Sequence, residues 1–416
     1  MGTNLVESGA EITPRVSPSR DSLVGSTRNL NALTGLRFIA AVNVVFYHFV
    51  RPTLPSWTYP LSNIVGAGYV SVSLFFLLSG FILSFSYLET SGKMRGTSWN
   101  FYVSRFARIY PAYLVAFLLA APSNILTSFH VNHLGVAIGK LLTGAFLVLT
   151  LQQSWTPWTA WYWNFPAWSI SVEAFFYLVF PWIGPRLTRL RPAWCISTAC
   201  GLWLLSLCAP MALYLFHGAT GAPGLNDHLQ MAVEFNPLLR LPEFLIGILL
   251  GRAYKLGLLP QLSSSIFSNL SATSVMAILA FCPFIPHPLL ANGLLIPLFA
   301  ILIYSLAAGN GPLANGLSRP PMILLGEASF GLYILQIPIA LALGLPPPHN
   351  SLRTFAIYFV VLISTAILSW RFVESPLRIC IRRWFSTGEN MNRHSPDAKD
   401  SSWLDSAPLN PLKEIE

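Results

Sequence analysis

Long apolar segments recur along most of this chain, and they limit how it can fold. An α-helix needs roughly twenty residues to cross the hydrocarbon core of a membrane, and about eleven segments approach that length. They lie near residues 33–50, 68–88, 106–124, 134–151, 167–184, 194–216, 238–256, 270–288, 291–308, 322–345 and 353–373. Hydrophobic residues form 54% of the 416 residues and charged residues only 10%, which is more apolar surface than a soluble domain can bury. The sequence therefore predicts an all-α polytopic membrane protein.

Polar segments flank the apolar region at both ends. Residues 1–32 are rich in Ser, Gly, Pro and Arg and contain no apolar signal-peptide core, which predicts a disordered cytoplasmic tail. Residues 376–416 begin with a basic cluster and then become polar, which predicts a cytoplasmic C-terminal tail. The domain between them, residues 33–375, is predicted to be embedded in the membrane throughout.

The basic residues between the apolar segments predict how often the chain crosses the membrane. Cytoplasmic loops carry an excess of Lys and Arg, and both ends of this chain are basic, so the number of crossings should be even. Arg186, Arg189 and Arg191 reach the cytoplasm only if one of the segments 106–124 and 134–151 does not cross completely. The prediction is a bundle of about ten transmembrane helices, with eleven as the alternative.

Charge and cysteine usage exclude other classes of function. The net charge of +9 is spread over the ends of apolar segments, which indicates topology signals and contacts with membrane lipids and gives no support for a nucleic-acid partner. The five cysteines include no CxxC pair and four of them lie in apolar segments, so we expect a packing role, and no metal site is predicted.

The first apolar segment, LTGLRFIAAVNVVFYHF, contains two ionisable residues, Arg37 and His48. At about 100° and 1.5 Å per residue, they share one helix face and lie about 16 Å apart along the axis. Alone, Arg37 would fit a snorkelling arginine and His48 a buried or interfacial histidine. Because ionisable residues in a membrane are expensive and often functional, their common face predicts a polar path through most of the bilayer.

Other ionisable residues extend this pattern. Arg105 and Arg108 in VSRFARIYP are neighbours on a helix surface and suit either phosphate or lipid headgroups. Glu173 stands in the apolar segment NFPAWSISVEAFFYLVFP, where a carboxylate needs a partner or a proton. A second acid, Glu243, lies three residues after Arg240, and we expect a structural ion pair there.

These segments resemble, in order and spacing, the motifs of the acyltransferase 3 family of integral membrane acyltransferases. The matching motifs are LTGLRFIAAVNVVFYH, GYVSVSLFFLLSGFIL, RFARIYP, WSISVEAFFYLVFP, LPEFLIGILLG, LGEASFGLYILQIP and RFVESPLR, between residues 33 and 378. The resemblance implies a cell-membrane enzyme that transfers an acyl group, commonly acetyl from acetyl-CoA, to a hydroxyl of a carbohydrate or lipid-linked glycan. It implies no tightly bound cofactor. Some members carry a C-terminal SGNH domain, whereas only a short tail follows here, so a separate extracytoplasmic acyl-accepting protein is a further candidate partner.

The resemblance also implies roles for individual residues. His48 and Glu173 match catalytic positions of the first-helix and tryptophan-to-glutamate motifs. The implied substrate-binding residues are Arg37, Arg105, Arg108, Trp168, Ser169 and Gln336. Many members place a histidine where this chain has Gln336, and an amide cannot act as a general base. We therefore expect Gln336 to be a binding position, or this branch to contact its substrate differently.

The residue types fit this chemistry. A neutral imidazole at His48 can take the proton of a hydroxyl as it attacks a thioester, and Glu173 is expected to orient the ring and stabilise the imidazolium. A transient acyl-imidazole is the alternative. Guanidinium groups suit the phosphates of CoA. Two other functions remain open at this point: acylation of a small hydroxylated metabolite such as a macrolide, and a transporter whose polar pathway needs the same charges.

Overall fold

A computed structural model describes residues 20–51, 54, 58–224, 227–345 and 351–386. Its regular structure over these ranges is helical, with short 3₁₀ turns between helices. The helices are α1 (Arg20–Phe49), α2 (Leu61–Gly66), α3 (Ser71–Tyr87), α4 (Ser98–Val131), α5 (Leu134–Leu149), α6 (Trp168–Leu187), α7 (Pro192–His217), α8 (His228–Phe235), α9 (Pro237–Lys255), α10 (Ser265–Ala280), α11 (His287–Ala291), α12 (Ile296–Ala307), α13 (Pro312–Leu317), α14 (Pro320–Glu327), α15 (Ser329–Ala342), α16 (Leu352–Ser369) and α17 (Ser375–Ser386). A π-helical turn, Trp370–Glu374, joins α16 to α17.

Within the described ranges, seven helical segments are long and apolar enough to cross a membrane. They cover Leu30–Phe49, Gly68–Tyr87, Ser98–Val131, Phe165–Leu187, Pro192–His217, His287–Ala307 and Leu352–Phe385. Helices α14 and α15 meet at a bend of 54° and add an eighth crossing if they form one span. The chain is therefore a polytopic helical membrane protein. Helices α5 and α10 are apolar but have only 16 residues each, so the count of ten or eleven stays a prediction.

Both predicted tail boundaries fall inside helices. Helix α1 begins at Arg20 and not near residue 33, and α17 continues to Ser386, past the predicted boundary at residue 376. In α17, basic and apolar residues alternate with helical spacing, which suits a helix lying at the membrane interface. The rest of the predicted tails, residues 1–19 and 387–416, lies outside the described residues.

The backbones of α3 and α9 approach closely at two glycines. A Cβ atom at Gly80 would overlap the carbonyl oxygen of Phe244, and one at Gly247 would overlap the carbonyl oxygen of Leu77. Small residues at a helix interface permit such close packing in membranes, where no hydrophobic effect drives helices together. This glycine interface fixes α3 against α9 and so fixes one side of the candidate site.

A buried ion pair joins Arg240 and Glu243 on α9, as the sequence predicted. Their side chains are almost fully buried, and Nη1 of Arg240 lies 3.3 Å from Oε1 of Glu243. Arg240 also donates to Oδ1 of Asn292 at 2.7 Å, to Oγ of Ser73 at 3.0 Å and to the carbonyl oxygen of Ala291. The pair thus ties α9 to α3 and α11, and the prediction of a structural role is confirmed.

Candidate active site

A cavity of about 120 Å³ lies among α1, α3, α4, α6 and α15. Its charged lining consists of Arg37 from α1, Arg105 and Arg108 from α4, and Glu173 from α6. Ser169, one turn before Glu173, also lines it. Five of the predicted site residues, separated by up to 136 positions in sequence, therefore meet in one cavity with otherwise largely apolar walls.

Arg37 projects into this cavity without a hydrogen-bond partner among the described residues. It is half-buried, and its guanidinium makes no hydrogen bond to any residue that the structure describes. Its charge interacts with those of Arg108, Glu327 and Glu173. A half-buried guanidinium that makes no hydrogen bond and lies near a second arginine is suited to an anionic ligand.

Arg105 is held in place by aromatic side chains. Its Nη2 atom donates to the hydroxyl of Tyr87 at 2.8 Å, and the guanidinium carbon lies 5.1 Å from the centre of the Tyr87 ring and 5.8 Å from that of Tyr177. Its Nε atom is buried and has no hydrogen-bond partner among the described residues. Such packing orients the guanidinium before any ligand arrives.

Arg108 lies one turn further along α4 and has an acidic partner. Its Nη1 atom is 3.6 Å from Oε2 of Glu327, at the bend between α14 and α15. Residues three apart on a helix share a face, which is why both arginines of RFARIYP reach the same cavity. The cavity therefore holds one arginine without a hydrogen bond to the described residues, one stacked on aromatic rings and one in an ion pair.

Glu173 pairs with hydroxyl groups in the cavity wall. Its Oε1 atom accepts hydrogen bonds from Oγ of Ser79, at 3.0 Å, and from the hydroxyl of Tyr177, one turn later in α6. No hydrogen bond or ion pair links Glu173 to His48 in the part of the chain that the structure describes. The expected orientation of His48 by Glu173 is therefore wrong for this structure, because Glu173 faces α3.

Ser169 and Trp168 have different surroundings although they are adjacent in sequence. Oγ of Ser169 lies 2.7 Å from the hydroxyl of Tyr333, which also lines the cavity. Trp168 turns away and packs on Phe235 and Phe76, with ring centres 4.6 Å and 6.2 Å apart. Trp168 is not part of the cavity lining and makes packing contacts in this structure, so its role in substrate binding stays a prediction.

His48 lies beyond the cavity, further along α1 than Arg37. Its Nδ1 atom is 2.9 Å from Oε1 of Gln336 on α15, and its ring packs edge-on against Phe165 with centres 5.3 Å apart. The ring remains partly exposed. Gln336, in contrast, is 0% exposed and its amide is occupied by protein partners, so the expected substrate contact at this residue is not available in this structure.

Several residues of the site were missed by sequence reasoning. Tyr177 stands four residues after Glu173, a spacing that places the two side chains together on a helix. Glu327 and Glu374 are acids inside the quoted motifs LGEASFGLYILQIP and RFVESPLR, and both interact with the charge of Arg108. Three arginines in an apolar region need acidic partners, and that imbalance was the signal for these two residues.

The arrangement separates two chemical environments along α1. At one end, the cavity offers three guanidinium groups, a carboxylate and hydroxyls, which suits a polyanionic ligand. At the other, a partly exposed imidazole with an amide partner is available for proton transfer. A ligand with phosphates at one end and a reactive group at the other would contact both.

Comparison with known proteins gives a consistent result. A family model described as an acyltransferase domain, acyltransferase 3, matches residues 30–374. The acyltransferase MdmB of Streptomyces mycarofaciens is 32% identical over 326 residues, which cover 74% of this chain and 78% of MdmB.

Two longer proteins are also similar. The O-acetyltransferase OatA of Staphylococcus aureus is 25% identical over 85% of this chain, and YrhL of Bacillus subtilis, named as a candidate peptidoglycan O-acetyltransferase, is 26% identical over 86%. The matched regions span 58% of OatA and 56% of YrhL. No solved structure matches this chain.

Proposed function

The chain belongs to the acyltransferase 3 family and is a membrane acyltransferase, and from this premise we propose its donor, acceptor and site. The donor is an acyl-CoA, with acetyl-CoA as the first candidate. The acceptor is a hydroxyl group of a carbohydrate or lipid-linked glycan, and the enzyme works in the cell membrane. Because the chain belongs to an acyltransferase family, we interpret the buried charges as parts of an enzyme site and not of a transport pathway.

The meeting of Arg37, Arg105 and Arg108 in one cavity is the observation that supports the donor most directly. CoA is a polyanion on a long flexible arm, and guanidinium groups bind phosphate through paired, charge-assisted hydrogen bonds. Arg37 makes no hydrogen bond within the described ranges, and the hydroxyl of Tyr87 orients Arg105. We place the phosphates of the donor at this cavity, with the arm leading along α1 toward His48.

His48 is the proposed general base for the transfer. The acceptor hydroxyl loses its proton to the imidazole while its oxygen forms a bond to the thioester carbon. The carbon–sulfur bond then breaks, and the CoA thiolate takes the proton back from the imidazolium. A relay through an acyl-imidazole remains the alternative. Glu173 keeps a proposed role in the reaction, but from the donor cavity, where it fixes the hydroxyls of Ser79 and Tyr177.

We propose that the end of α1 at Arg37 faces the cytoplasm, where acyl-CoA is made. The basic loops support this orientation. Reporter domains inserted after Phe49 and near Asp227 should then be detected outside, and those near Gly92 and Leu190 inside. A reporter near Leu190 that is detected outside would contradict the ten-span arrangement and require both segments before it to cross.

The central test is acyl transfer by the purified protein in liposomes. With labelled acetyl-CoA, we expect thiol release that depends on an added glycan or lipid-linked glycan fraction, and label in that fraction. Strong transfer to a small hydroxylated metabolite such as a macrolide, without transfer to glycans, would overturn the proposed acceptor. If release of the CoA thiol requires an added extracytoplasmic protein, that protein is a separate acyl-accepting partner.

Two histidine variants test the base. His48→Ala should abolish transfer while the protein still inserts and folds, because one imidazole contributes little packing. His130→Ala is the matched control, since His130 is exposed at the end of α4. Full activity of His48→Ala at normal expression would remove His48 from the mechanism.

A further inference from the structure

The contact between His48 and Gln336 joins α1 to α15 at the level of the proposed base. Nδ1 of His48 and Oε1 of Gln336 are 2.9 Å apart, a full hydrogen-bond contact between residues 288 positions apart in sequence. A neutral imidazole has one nitrogen that donates and one that accepts, and either nitrogen can hold the hydrogen. The surroundings of Gln336 decide which one does in this protein.

The side-chain amide of Gln336 can point in only one direction. Its Nε2 atom donates to the carbonyl oxygen of Tyr333 at 2.8 Å, and that oxygen can only accept. Rotating the amide by half a turn would set two acceptor oxygens against each other. The residue is 0% exposed, so water cannot relieve such a contact.

The fixed amide determines the tautomer of the imidazole. Oε1 of Gln336 faces Nδ1 and can only accept, so Nδ1 must carry the hydrogen and Nε2 must hold the lone pair. His48 keeps part of its ring exposed, and Nε2 makes no hydrogen bond with any residue in the described ranges. We propose that Gln336 is a positioning residue that holds His48 as the Nδ1-protonated tautomer and leaves Nε2 free to act as the base.

The catalytic consequence rests on the proposed acyl transfer. The proton of the acceptor hydroxyl moves to Nε2 as the carbon–oxygen bond forms, and it passes from Nε2 to the thiolate after the carbon–sulfur bond breaks. Throughout this exchange Nδ1 keeps its hydrogen and its bond to Gln336, so the ring need not turn between the two proton transfers. An oriented base of this kind resembles the general pattern in which a third group sets the tautomer of a catalytic histidine.

The tautomer itself can be measured without any turnover. Protein labelled with ¹⁵N-histidine in liposomes should give, by solid-state NMR at neutral pH, one pair of signals that disappears in His48→Ala. We expect the protonated signal of that pair to belong to Nδ1 and the unprotonated one to Nε2. The opposite assignment would overturn the inference even if the protein transfers acyl groups. If instead the expected tautomer is found in a protein that transfers none, the proposed function fails and the positioning of His48 stands.

Kinetics of two variants test the catalytic consequence. Gln336→Leu keeps the size but removes the acceptor, and kcat should fall about tenfold to a hundredfold, because misorienting a reacting group has effects of that order. The donor KM should stay the same, since the arginine cavity does not include Gln336. Gln336→Glu keeps an acceptor oxygen at the same reach, and its second oxygen can replace Nε2 toward the Tyr333 carbonyl only when it carries a proton. It should therefore recover part of the lost kcat where the buried carboxyl is protonated.

Tyr358→Phe provides the matched control for packing. It removes the hydroxyl that donates to the Gln336 backbone and leaves the side-chain amide in place. Its kcat should stay within about twofold of the unmodified protein, as for most changes that spare a functional contact. Equal losses of kcat in Gln336→Leu and Tyr358→Phe, or no loss in Gln336→Leu, would show that Gln336 contributes packing alone.

Discussion

Replacing Arg37 by alanine should weaken binding of the acyl donor without destabilising the fold. Its guanidinium is half-buried in the cavity and has no hydrogen-bond partner among the described residues. Repulsion from Arg108 is opposed by attraction to Glu327 and Glu173. Removing it breaks no hydrogen bond or ion pair among the described residues, and the opposing charge interactions partly cancel, so the free energy of unfolding should stay within about 0.5 kcal/mol. One charge-assisted hydrogen bond to phosphate is worth about 1.5–3 kcal/mol. At 1.4 kcal/mol per tenfold change, the donor KM should rise about tenfold to a hundredfold.

The kinetic pattern separates binding from chemistry. A phosphate contact far from the thioester is nearly the same in the ground and transition states, so kcat should change little. Arg37→Lys should recover part of the affinity, because the charge returns without the paired geometry. Arg51→Ala removes the same charge beyond the opposite end of α1, where the guanidinium lies 5.7 Å from the Tyr47 ring, and should leave the donor KM unchanged.

A truncated donor makes the assay specific for phosphate. Thiol release is measured in liposomes for the unmodified protein and for Arg37→Ala. Each protein is given acetyl-CoA or S-acetylpantetheine, which lacks the nucleotide phosphates. The effect of Arg37→Ala should appear with acetyl-CoA and vanish with the truncated donor. An unchanged KM for acetyl-CoA, or an equal rise for both donors, would refute the assignment of Arg37 to a donor phosphate.

Three further variants follow from contacts described above. Tyr87→Phe removes the hydroxyl that holds one cavity arginine, and the donor KM should rise about twofold to tenfold, since such a bond is worth about 0.5–1.5 kcal/mol; an unchanged KM would mean that aromatic stacking alone orients the arginine. Glu243→Ala strands the buried charge of Arg240, so SDS titration in mixed micelles should show a loss of about 3–5 kcal/mol in unfolding free energy. Replacing both residues of the pair by Met and Leu should restore most of the lost unfolding free energy, and no recovery would contradict the assignment of the loss to an unpaired buried charge. Gly80→Ala should lower the same free energy by about 1–3 kcal/mol through overpacking. Gly201→Ala, with no neighbouring atom within 4 Å, should not lower it, and equal losses in the two glycine variants would contradict the close approach of α3 and α9.

Periodicity predicted the helices well because it reports local structure. Each of the eleven apolar segments contains helix, and the spacing of Arg105 and Arg108 correctly placed them on one face. Helix ends were predicted less well. Helix α1 extends back to Arg20 through polar residues, and α17 forms from a basic segment, because amphipathic and polar helices do not need long apolar runs.

Contacts between helices were harder to predict than faces of one helix. The spacing of Arg37 and His48 showed that they share a side of α1, but not which helices lie opposite each of them. The partner of His48 proved to be Gln336, 288 positions away, whereas Glu173 bonds to α3. A single sequence contains no measure of such distant pairings, so an acid and a histidine of suitable chemistry were paired although the structure holds them apart.

The close approach of α3 and α9 determines which wall of the cavity can move when the donor enters. Helix α3 contributes Ser79 and several apolar residues to the cavity. At the adjacent Gly80 its backbone packs directly on that of α9, which opposes sliding or rotation between the two helices. Another wall of the cavity is α15, a helix of 14 residues that meets α14 at a 54° bend beside Glu327. We therefore expect the nucleotide to be admitted by displacement of α14 and α15, with Glu327 releasing Arg108 as the phosphates arrive, while α3 and α9 stay still as one rigid unit.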